Sequence, residues 1–145
     1  MQKLREIQEQ VAVTAQVSAW HGRRRRWTMK FNLREFGRIC IDGTEYPHDV
    51  VIDRGEVRAR KKGPSKKYRH RFGHTPLSTK EEIPWRCKHL VIGTGAQARL
   101  PIMDEVRHEA VRRGVELLAL PTEAAVAFLG AKRRKKTNAI LHVTC

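Results

Sequence analysis

The sequence predicts an α/β fold: a three-layer domain around a mixed, partly parallel sheet, with an antiparallel hairpin portion toward its N-terminal side. Three observations predict it. Lys88 to Thr122 reads as strand, glycine loop, helix, strand and the opening of another helix, the pattern of a parallel crossover. Ahead of it, two apolar runs end in Asp42-Gly43 and Arg54-Gly55, which are hairpin turn signals. The chain of 145 residues is 40% hydrophobic but only 6% aromatic, which suits one modest, mostly aliphatic core.

Residues 1–28 differ from the rest. Leu4, Ile7, Val11, Ala15 and Ser18 mark a loose helical stripe, and the run Arg23-Arg24-Arg25-Arg26 follows. Three readings stand: a basic arm for nucleic acid, an organelle presequence, and upstream sequence translated ahead of a start at Met29. Glu6 and Glu9 weaken the second. The third is the working expectation, and it leaves 29–145 as a single domain.

From Phe36 to Gly43 the chain alternates as a strand and turns at Asp-Gly. Val50-Val51-Ile52 forms a second strand whose consecutive β-branched residues predict burial on both faces. Arg54-Gly55 turns it into Glu56 to Arg60, a strand with a polar face. Lys61 to Gly73 reads as a basic loop in which Tyr68 and Phe72 are interleaved with cations. Such interleaving can stack nucleic-acid bases, but a solvated loop with its aromatics tucked on the sheet is the preferred reading. Ser78 and Glu81 fit a capping box that opens a short helix, ended by Pro84.

His89 to Ile92 is a buried parallel strand. A helix over 102–113 follows, with Asp104 and Glu105 at its positive end, Arg112 and Arg113 at its negative end, and Ile102, Val106, Ala110 and Val111 as its apolar stripe. Val115 to Leu120 is the next strand. Thr122 caps a helix to about Leu129 that Gly130 ends, and Asn138 to Val143 is the last strand.

The residues that invite chemistry cluster at one edge of this layer. Gly93-Thr94-Gly95 follows a parallel strand, where backbone N–H groups can surround a small anion. A dinucleotide is disfavoured, because Arg99-Leu100-Pro101 separates the glycines from the helix and the next strand ends in Leu120 instead of an acid. Thr122 leaves the neighbouring strand, Arg99 adds charge, and His74 is a candidate for the rim. Gly93, Thr94, Gly95, Arg99, Thr122 and His74 are therefore the candidate ligand-binding residues. No nucleophile–base pair is expected there, and no catalytic residue is assigned. Cys87-x-His89 and His142-x-x-Cys145 fit no common zinc spacing, so neither a metal nor a cofactor is assigned. Cys145 has no assignable base.

No run of about 18 apolar residues exists, so no membrane span is expected. Three widely spaced cysteines and the lack of an apolar leader suit a cytoplasmic setting. The formal net charge of +15 comes from 30 Lys and Arg against 15 Asp and Glu. It predicts weak, sequence-indifferent nucleic-acid binding that fades near physiological salt.

Several of these segments together resemble the Mth-nine-three-eight-like domain family. They are Asp49 to Ile52, Gly73-His74, Leu90 to Gly95, Arg113 to Glu116, Thr122 to Ala125, and His142 to Cys145. The chain departs from the family pattern at Phe128-Leu129 and at the basic run from Arg58 to Lys62. The resemblance implies a three-layer α/β domain, and an accessory role through protein partners with no established reaction. The leading expectation is thus a non-catalytic binding or accessory domain acting through a protein partner or a small anion. The alternatives are a small-ligand or nucleotide-dependent enzyme using the glycine loop, and a basic nucleic-acid-binding protein.

Overall fold

Alternation of apolar residues decides which face each strand buries, and in the computed structural model the central strands are apolar on both. The structure describes residues 29–33, 36–131 and 135–145. The expectations for residues 1–28 lie outside them. Three short strands, β1 (Phe31–Leu33), β2 (Ile39–Ile41) and β3 (Thr44–Tyr46), form an antiparallel sheet in that order. The main sheet comprises β4 (Val50–Asp53), β5 (Glu56–Ala59), β6 (His89–Gly93), β7 (Glu116–Leu120) and β8 (Thr137–Leu141). Its order is β5-β4-β8-β6-β7. β4 pairs antiparallel with β5 and β8, whereas β6 pairs parallel with β7 and β8.

Among the described residues three α-helices complete the fold: α1 (Arg69–Phe72), α2 (Asp104–Arg112) and α3 (Thr122–Ala131). The two faces of the main sheet carry separate cores. Val50, Ile52, Val91, Ala139 and Leu141 pack against Ala125 and Leu129 of α3 and against Ile39 and Ile41 of β2. Val51, Leu90, Ile92 and Ile140 pack against Val106 and Ala110 of α2, with Leu77, Ile83 and Leu100. This is the expected three-layer arrangement around a mixed sheet. Each fully buried aliphatic side chain contributes about 1.5–3 kcal/mol, so these two clusters dominate the stability.

Both hairpin turns have positive φ at their two central residues, Asp42 at 50° and Gly43 at 87°, then Arg54 at 51° and Gly55 at 88°. That is the turn geometry whose twist matches the flanking strands. Arg54 is an uncommon residue there. Its N–H donates to Oδ1 of buried Asn138 at 2.8 Å, and Asn138 also donates from Nδ2 to the Pro84 carbonyl at 2.9 Å.

Several local expectations are corrected. Lys61 to Gly73 is not an open loop: Gly63–Tyr68 is a 3-10 helix that runs into α1. Ser78 to Ile83 forms a turn instead of a helix, because the Glu81 carboxylate is drawn to buried Arg60 instead of back to the Ser78 N–H. α2 begins at Asp104, since Ile102 bridges to Leu77, and Val111 points to solvent at 79% exposure. Gly130 lies within α3 and does not end it. Among the described residues no helix is long and apolar enough to cross a membrane.

Candidate functional site

The strands β6, β7 and β8 end together, and the chain segments leaving them tie into one polar knot. At its centre is Thr122, 2% exposed, at the start of α3. Its Oγ1 accepts the Gly95 N–H at 2.7 Å and donates to the His142 carbonyl at 2.6 Å. Thr122 is therefore a clamp between two strand ends, where the sequence suggested an N-cap. Gly93 is close-packed here: a Cβ on it would lie 2.9 Å from Oγ1 of Thr122.

Every backbone N–H from Thr94 to Leu100 has an acceptor inside the protein. Thr94 donates to the Leu120 carbonyl, Gly95 to Thr122, Ala96 to the Thr144 carbonyl at 2.7 Å, and Gln97 and Arg99 to the Cys145 carbonyl at 3.2 and 3.0 Å. Ala98 and Leu100 close turns on Gly95 and Thr94. The loop thus cradles backbone oxygens of Thr144 and Cys145 of its own chain. Gly95 makes this approach feasible: its φ is +108°, and a Cβ would stand 2.3 Å from both the carbonyl carbon and oxygen of Cys145.

The structure brings Gly93, Thr94, Gly95 and Thr122 together. Arg99 joins them through its backbone N–H while the residue itself is exposed. His74 follows Gly73, which closes α1 at φ 78°, and among the described residues no hydrogen bond joins its ring to the loop. The grooves between β1 and α3, about 960 Å³, and at the N-terminal ends of β6 and β7, about 350 Å³, are lined by other residues.

Next to the knot lies a buried charge network that the sequence reading missed. Arg60, with its side chain 1% exposed, donates from Nη1 to Asp49 at 2.9 Å, from Nε and Nη2 to both oxygens of Glu81 at 2.8 Å, and from Nη2 to the Pro76 carbonyl at 3.1 Å. Asp49 also accepts the Val143 N–H at 2.9 Å and faces Nδ1 of His142 at 2.9 Å. Nε2 of His142 lies 3.1 Å from the Thr144 hydroxyl. Burial by itself would raise the Asp49 pKa. The hydrogen bond and charge of His142, the Val143 N–H and Arg60 outweigh it and hold the carboxyl at about 2, against an ordinary 3.8. The Thr144 hydroxyl, the His142 ring and the Asp49 carboxylate thus form a hydrogen-bonded chain at this edge. In the sequence His142 stands out only through His142-x-x-Cys145, which fits no common zinc spacing, and through the ending His142 to Cys145 that the family resemblance uses. Among the described residues no group of three or more His, Cys, Asp or Glu side chains is arranged to hold a metal.

These elements define an α/β domain of the Mth938-like fold. The chain is similar to a conserved hypothetical protein from Pyrococcus horikoshii, with TM-score 0.66 and 28% identity over 81% of this chain and 100% of that one. It is similar to MT938 with TM-score 0.58 and 23% identity, over 81% and 100% of the two chains. A Mth938-like domain from Bordetella pertussis matches with TM-score 0.51 and 15% identity, over 79% and 85%. No protein-family model and no curated protein matches the chain.

Proposed function

We propose that this protein is a binding domain that engages an acidic protein surface through the helical platform from Lys61 to Phe72. The observation that carries this reading is the anchoring of a wholly cationic segment. Ser65 is 0% exposed, and its hydroxyl bonds Oε2 of Glu81 at 2.5 Å and Oγ of Ser78 at 2.6 Å. Around that anchor Lys61, Lys62, Lys66, Lys67, Arg69 and Arg71 are exposed, and no acidic residue occurs between Lys61 and Gly73. A basic surface fixed to the core loses little side-chain-independent freedom on binding, so its charge favours association directly.

A protein partner is favoured over nucleic acid by the state of the aromatic rings. Lys67 Nζ lies 5.4 Å from the Tyr68 ring centroid, and Arg71 lies 6.0 Å from Tyr68 and 5.4 Å from Phe72. Both rings are half-buried and carry cations of their own, which compete with a base for the stacking face. An anion at the glycine loop would have to displace the Thr144 and Cys145 carbonyls, so the platform is the better candidate for recruitment.

The test is partner capture from the native cell with the full chain and with a fourfold variant, Lys66→Glu, Lys67→Glu, Arg69→Glu and Arg71→Glu. The expected result is a set of acidic proteins held by the parent chain, resistant to nuclease and lost from the variant. Equal capture by a folded variant, or loss of all captured material on nuclease treatment, would refute the reading.

A further inference from the structure

The segment after β8 carries a hydrogen-bonded chain of groups that recruitment through the platform does not use. We propose that Thr144 is a covalent acyl acceptor, whose hydroxyl is activated by His142 toward small activated esters. Thr144 is the nucleophile, His142 the base and Asp49 the positioning residue.

The geometry fixes the direction of the proton. Asp49 is held by Arg60 Nη1 at 2.9 Å and by the Val143 N–H at 2.9 Å, so its carboxylate stays ionised and can only accept. The His142 nitrogen facing it at 2.9 Å, Nδ1, therefore carries the proton. This leaves the lone pair of Nε2 for the Thr144 O–H, 3.1 Å away. Hydroxyl, imidazole and carboxylate in that order are the arrangement that activates an alcohol nucleophile. The His142 side chain is 12% exposed and Thr144 is half-buried, so neither residue is sealed from solvent. Gly37 packs beside the Thr144 methyl: a Cβ on it would lie 3.9 Å from that group, in ordinary contact.

In the step itself, Oγ1 of Thr144 attacks the ester carbonyl while its proton passes to Nε2 of His142. The bond between the acyl carbon and the leaving oxygen breaks, and the leaving group departs with that proton. Thr144 retains the acyl group as an ester, and no redox change occurs. Because the loop N–H groups from Thr94 to Leu100 are all engaged, the glycine loop offers no free donor to a tetrahedral oxyanion. Both acylation and hydrolysis of the acyl ester are then slow, which is why a highly activated ester is the substrate class that fits.

The experiment treats the full chain with p-nitrophenyl acetate at neutral pH. It follows p-nitrophenolate release, locates the acetyl group by peptide fragmentation, and records a melting curve for each variant. The expected result is acetyl on Thr144, retained in Thr144→Ser and absent in Thr144→Val. His142→Asn should slow it about a hundredfold, and free imidazole should restore part of the rate. Acetyl confined to lysines or to Cys145 in the parent chain would overturn the proposal. So would an unchanged rate at Thr144 in a folded His142→Asn chain. Should His142→Asn fail to fold, Thr144→Val decides alone, because it removes only the hydroxyl: an undiminished phenolate burst there would also refute the assignment.

Discussion

Arg60 and Glu81 face each other inside the protein through two N–H···O bonds of 2.8 Å, with side chains 1% and 3% exposed. The same guanidinium holds Asp49, so one cation pairs with two carboxylates from different segments. Replacing Arg60 with Met would leave both carboxylates buried without their partner. Removing one member of a buried ion network costs about 3–5 kcal/mol. Urea denaturation of Arg60→Met should show a loss of that order, and a change below about 1 kcal/mol would mean that water reaches the cluster.

Asp49 predicts a pH dependence whose sign follows from its depressed pKa. A carboxyl near 2 when folded and 3.8 when unfolded adds stability at every pH above the unfolded value. That contribution is lost as pH falls through 3.8 toward 2, and it amounts to about 2 kcal/mol. Denaturation midpoints measured down this range should fall more steeply for the parent chain than for Asp49→Asn.

Asn138 should behave as a structural amide. It is 1% exposed, accepts the Arg54 N–H and donates to the Pro84 and Arg86 carbonyls. Asn138→Leu strands these buried groups, at about 1–3 kcal/mol for the unsatisfied donor and acceptors. The amide of Arg54 should then exchange with solvent faster, which hydrogen exchange would register.

The main sheet was legible because its signals are local. Val50-Val51-Ile52 and Leu90-Val91-Ile92 announce strands buried on both faces, and the two X-Gly turns announce the hairpins. What was illegible depends on partners distant in sequence. Glu81 reads as a capping residue until Arg60 is placed beside it. Thr122 reads as an N-cap until β6 and β8 bring Gly95 and His142 to its hydroxyl. The glycine loop is visible in the sequence as a place where N–H donors gather, but the acceptors of Ala96, Gln97 and Arg99, the backbone oxygens of Thr144 and Cys145, emerge only from the register of β6 with β8. The basic segment kept its helical form hidden because its one anchor, Ser65, is a single small residue among cations.

The extension before Met29 is expected to contribute little to folding. A chain beginning at Met29 should melt within a few degrees of the full chain, since the apolar stripe before it is thin. A large drop in melting temperature would show that those residues pack on the domain.

Gly95→Ala probes the contact between the loop and the C-terminal segment. With φ at +108° and Cys145 backbone atoms 2.3 Å from a Cβ, the substitution must push residues 144–145 away. The cost should be about 1–3 kcal/mol or more, with the changes in amide chemical shift concentrated at Thr94 to Arg99 and at Thr144 and Cys145.

The central structural claim is that the glycine loop holds the chain's own carbonyls and leaves no donor for a ligand. Amide hydrogen exchange of the full chain, measured by NMR with and without inorganic phosphate, tests it most directly. The account predicts slow exchange at Ala96, Gln97 and Arg99, with no saturable shift of these amides as phosphate is added. Rapid exchange there, or a saturable shift confined to Thr94 to Arg99, would contradict it and restore the loop as an anion site.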